Sequence, residues 1–97
     1  MNSNQVQVVS EKKFNIRLDY CSSWGMASRV NLAKTILTAA FPNAEFTSGK
    51  VDKLNAFEIY VIDANGKETL VHSKLNGDGY LDNNSATSVI KKIQEVI

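Results

Sequence analysis

Several residue types are scarce in this 97-residue chain, and each scarcity removes a class of function. There is one cysteine, Cys21, so no disulfide can close within the chain and no cysteine zinc site can be assembled from it. The one histidine, His72, cannot build a metal site alone. Eleven Lys and Arg stand against ten Asp and Glu, with no block of like charge. Nucleic acid is therefore not an expected partner, because backbone binding needs a concentrated basic face. Long apolar runs are missing, and residues 1–10 lack a basic segment followed by an apolar one. The expectation is a cytoplasmic protein that meets no membrane.

What is present suits one globular unit: 43% hydrophobic and 22% charged residues in a length that holds a single core. Residues 1–12 are polar apart from Val6, Val8 and Val9 and read as a mobile tail, with an edge strand as the alternative. Residues 13–97 read as the single domain.

Phe14, Ile16, Leu18 and Tyr20 alternate with polar residues, the signature of a strand with one solvated face. Helices should then cover one side of the sheet only. Met26, Val30, Ala33, Leu37, Ala40 and Phe41 recur at helical spacing, with Ser22 and Ser23 as caps and Pro42 as the stop. Ala44, Phe46 and Ser48 suggest a short second strand, followed by a polar connection over residues 49–55. Residues 57–62 and 68–73 form two further strands, and Asn65-Gly66 between them accepts the positive φ angles of a tight hairpin. Gly77-Asp78-Gly79-Tyr80 leads to capping residues from Asp82 to Ser85. A last helix follows, with Ala86, Val89, Ile90, Ile93 and Ile97 on its buried face. Right-handed crossover of the first βα unit gives an α/β two-layer sandwich in βαβ-ββα order, a four-stranded mixed sheet with two helices on one face.

Cys21 falls where the first strand hands over to the first helix. Helix amides without intrahelical partners, together with the helix dipole, favour a thiolate there, and the thiolate is the reactive form. Against this, free cysteine is among the most buried and inert residue types. Location alone leaves both readings open.

Tyr20-Cys21-Ser22-Ser23-Trp24-Gly25, Ala40-Phe41-Pro42, and the run from His72-Ser73-Lys74 through Gly77-Asp78-Gly79-Tyr80-Leu81-Asp82 resemble the selenoprotein W family. These are the Rdx proteins, and the similarity extends from about residue 14 to the C-terminus. The resemblance implies a thioredoxin-like fold. It also implies thiol redox chemistry, an antioxidant activity linked to glutathione or to protein thiols, with glutathione as co-substrate and no bound cofactor. The family motif is Cys-x-x-selenocysteine or Cys-x-x-Cys. Cys21 matches its first position, and Trp24 stands at the second.

Three readings account for Trp24. In the first, Cys21 works as a monothiol that an external thiol resolves. In the second, the redox cycle is lost, and Trp24, Tyr80 and the loop near Cys21 form a contact patch for a protein partner. In the third, position 24 replaces selenocysteine, since UGA and UGG differ by one base.

Other signals are set aside. Asp63-Ala64-Asn65-Gly66 and Asn76-Gly77-Asp78-Gly79 lack the glycine and glutamate spacing of calcium loops and are explained as turns. Gly77-Asp78-Gly79 lacks the lysine of a phosphate loop. His72 is expected to pack on the sheet and not to serve as a base. The proline that faces the cysteine pair in thioredoxins has no counterpart, since Pro42 precedes the second strand.

Overall fold

A computed structural model describes residues 13–97, so the tail reading for residues 1–12 lies outside the described residues. The elements follow in the order β1 (Asn15–Cys21), α1 (Met26–Ala40), β2 (Glu45–Val51), β3 (Phe57–Ile62), β4 (Glu68–Ser73) and α2 (Ala86–Val96). The four strands form one sheet in the order β2-β1-β3-β4. β1 runs parallel to β2 and antiparallel to β3, and β3 is antiparallel to β4. This is the expected mixed α/β sheet, and the two helices pack against one another as well as on the sheet.

The alternation in β1 sorts the two faces. Ile16 and Leu18 are buried and lie across from Val61 and Ile59, which are buried as well. With Ala33 and Leu37 of α1 and Val89 and Ile93 of α2 they form the hydrophobic interior. On the other face, Arg17 stacks on the Tyr60 ring 4.5 Å from its centroid and pairs with Asp19 and Glu68. The Glu68 hydrogen bond raises the Arg17 pKa, partial burial opposes it, and the nearby Asp19 charge adds to the rise.

Three local expectations are corrected. Ser22 and Ser23 do not cap α1: Gly25 is the N-cap, at φ 73, with no side-chain cap. The chain needs a left-handed residue to turn from β1 into α1, and glycine takes that conformation without cost. β2 continues through Gly49 and Lys50 to Val51, past the expected end at Ser48. Backbone pairing with β1 carries it, up to the match of Cys21 with Val51, although most of its side chains face solvent. In the β3–β4 hairpin only Gly66, and not Asn65, has positive φ. Asp63 organises that turn instead, its Oδ1 accepting the N–H groups of Asn65 and Lys67 at 2.9 Å. The expected buried face of the last helix is present: Val89 and Ile93 are buried, and Ile90 and the C-cap Ile97 are half-buried and pack against the core.

Candidate functional site

Cys21 is the last residue of β1, and its N–H donates to the Ala56 carbonyl at 3.0 Å. This bond draws the start of β3 against the end of β1, so the thiol sits where three strands converge. The residue is 7% exposed. Its Sγ lies 3.6 Å from the Ser23 hydroxyl. α1 begins at Met26, beyond the Trp24-Gly25 turn, and none of its free amides bonds to the sulfur. The expected stabilisation of the thiolate by helix amides is therefore not formed by hydrogen bonding. A serine hydroxyl occupies that position.

Two openings flank this point of the chain. A cleft of about 290 Å³ is lined by Cys21, Ser22, Val51, Asp52, Lys53 and Leu54. A smaller hollow of about 160 Å³ is lined by Tyr20, Ser22, Ser23, Met26, Ala27 and Lys50. Successive strand residues point to opposite faces, which places Tyr20 on the helix side and Cys21 on the side of the β2–β3 connection. Ser22 borders both openings. Trp24 is fully exposed and belongs to neither wall, so the two positions of the family motif are near in sequence without sharing a pocket.

The segment after β4 shows why its residue types occur together. His72 is buried, its Nε2 2.8 Å from the Gly79 carbonyl, and packs edge-on against Phe57. Packing was the expectation, and neither wall of the Cys21 openings includes His72. Asp78 Oδ2 accepts the Ser73 N–H at 2.9 Å, and Ser73 Oγ accepts the Asn76 N–H at 3.1 Å. Tyr80 packs edge-on against Phe57 with ring centroids 5.2 Å apart, and the Arg29 guanidinium and Lys74 ammonium approach the same ring. Arg29 belongs to the first turns of α1, so Tyr80 ties that helix to β3.

Sequence reasoning missed Glu58. It alternates like a solvent-facing strand residue, yet it is buried. Its carboxylate accepts the Ser73 hydroxyl and the N–H groups of Phe57 and Leu75. The available signal was Ser73, a hydroxyl directly opposite in the β3–β4 register, but that pairing is visible only once the register is known. Among the described residues no three His, Cys, Asp or Glu side chains gather to hold a metal. No helix among them is long and apolar enough to cross a membrane.

A two-layer thioredoxin-like α/β domain with a single cysteine at the β1–α1 junction is the class that fold and site define. The profile of the Rdx family matches residues 15–92. Selenoprotein W of Danio rerio is 36% identical over 70 residues, which cover 72% of this chain and 78% of that protein. The chain belongs to the selenoprotein W/Rdx family.

Proposed function

We propose that this chain is a monothiol redox protein whose working group is Cys21. The observation that carries the reading is the position of Cys21 at the end of β1, among the residues that line a cleft, in a chain of the selenoprotein W/Rdx family. The Cys21 thiolate attacks one sulfur of a disulfide, of glutathione or of a protein. The old S–S bond breaks, one thiolate leaves, and a mixed disulfide on Cys21 remains. A second external thiolate then attacks that mixed disulfide, returning Cys21 as thiolate and carrying the partner sulfur away in a new disulfide. No second sulfur in the chain is required, which suits Trp24 at the position where the family motif holds selenocysteine or cysteine. We read the setting as cytoplasmic and glutathione as co-substrate.

Incubation with oxidised glutathione, followed by mass spectrometry of the intact chain, tests this. One adduct is expected on the wild-type chain and none on Cys21→Ser; an unmodified wild-type chain overturns the reading.

Full exposure of the Trp24 indole favours a second reading, an interaction module that uses the Cys21 end to hold a protein partner. Pull-down with Trp24→Ala tests it, since undiminished partner recovery removes the indole from the interface. Reading codon 24 of the native gene decides the remaining question: UGG makes the tryptophan native, and UGA with selenocysteine machinery restores a Cys-x-x-selenocysteine site.

A further inference from the structure

The loops of this domain differ in how firmly they are tied down. The β3–β4 hairpin is pinned by the Asp63 carboxylate, which accepts two backbone N–H groups. The segment after β4 is pinned by Glu58, Asp78 and His72. The turn before α2 is pinned by Asp82, whose Oδ1 accepts the N–H groups of Asn84 and Ser85.

Residues 52–55, which join β2 to β3, have no such anchor. None of their side chains makes a hydrogen bond or ion pair with another described residue. Leu54 holds its apolar side chain in solvent at 81% exposure. Only backbone bonds fasten the far end, Ala56 N–H to the Lys53 carbonyl at 3.2 Å and Cys21 N–H to the Ala56 carbonyl at 3.0 Å. Asn55 has φ 66 and is the only non-glycine residue with positive φ among those described. The weakly tied connection supplies three of the residues that wall the cleft beside Cys21: Asp52, Lys53 and Leu54.

We infer that residues 52–55 are a gate that controls access to Cys21, with Asn55 as its hinge. This inference rests on the reading of Cys21 as the working thiol, and it adds how that thiol is reached. A thiol in a residue 7% exposed cannot be attacked in line by a bulky disulfide, so a local opening must precede reaction. The segment with the fewest ties opens at the lowest cost, and here that segment borders the sulfur. Asparagine tolerates the left-handed conformation better than most residues, whereas alanine is disfavoured there. Raising the energy of the closed state at residue 55 therefore shifts the gate toward open.

Iodoacetamide alkylation of Cys21 in the full chain, followed by intact mass, reads the gate. When reclosing is fast, the observed rate is the open fraction multiplied by the intrinsic rate of the thiol. Asn55→Ala is expected to speed alkylation about threefold to tenfold, whereas Asn55→Asp, which also tolerates positive φ, stays near the wild-type rate. Gly66→Ala is the control, because φ 86 imposes the same kind of backbone penalty in open space, in the hairpin at the opposite end of the sheet. It should lower the melting temperature without changing the alkylation rate.

Equal acceleration by Gly66→Ala overturns the gate, since access then follows global unfolding. Two other results also overturn it: no acceleration by Asn55→Ala, or a wild-type rate equal to that of a small free thiol. Because these rates are read with iodoacetamide, a gate can be found where no glutathione adduct forms, and an adduct can form where no gate is found.

Discussion

Glu58 accepts the hydroxyl hydrogen bond of Ser73 across the β3–β4 ladder, with both residues buried and, among the described residues, no ion pair to the carboxylate. The N–H groups of Phe57 and Leu75 supply the remaining donors. A buried polar group is tolerated only when its hydrogen bonds are made, and here three donors make them. Through Leu75 the same carboxylate holds down the segment that ends at Tyr80.

Glu58→Ala should therefore cost about 2–4 kcal/mol, because it leaves one hydroxyl and two amides without their acceptor. Glu58→Gln keeps one acceptor oxygen and should cost less. Urea denaturation of both variants against wild type checks the order, and a Glu58→Ala chain as stable as wild type contradicts it.

Acid should weaken the start of α2. The backbone N–H of Ser85 holds the Asp82 carboxyl below its usual range; partial desolvation opposes this, and the Asn84 amide and Arg29 add to the lowering. A depressed folded-state pKa means that the contribution is present above the unfolded value, near 4, and is lost as pH falls through the folded one. Asp82→Asn keeps an oxygen to accept the same amides but removes the titration. Urea midpoints measured from pH 7 down to pH 3 should fall less steeply for Asp82→Asn than for wild type.

The interior should behave as a packed one. Leu37 of α1 is fully buried, and Leu37→Ala should cost about 2–5 kcal/mol through lost burial and the cavity left behind. Thermal unfolding followed by circular dichroism measures it.

Trp24→Ala should leave stability within about 0.5 kcal/mol of wild type, because the indole is fully exposed. A large loss of stability would place the ring in the fold and not on the surface. Any change in partner recovery for this variant then reports on the surface alone.

Much of the fold was legible because it is written in periodicity. The alternation of Ile16 and Leu18, and the spacing of Val30, Ala33 and Leu37, each name a buried face without knowledge of neighbours. The end of β2 was not legible, since Gly49 and Lys50 join the sheet through backbone pairing with β1 that their side chains do not advertise. Ser22 and Ser23 misled for a related reason: a capping residue type says little until the turn beside it is known, and Gly25 makes that turn. The candidate site divides in the same way. Cys21 was found from its junction and its motif, whereas Glu58 was hidden by an alternation shared with exposed acids.

Composition and pattern by themselves determined a mixed sheet with helices on a single face, one thiol and no second cysteine to pair with it. Those properties are local or countable, so no contact map is needed to read them. Tertiary structure decided that the thiol is nearly closed off, that a serine hydroxyl and not a helix amide lies against it, and that the least anchored connection forms its wall. Each depends on which distant segments meet, and burial and hydrogen bonding at Cys21 are set by Ser23, Val51 and Ala56 together.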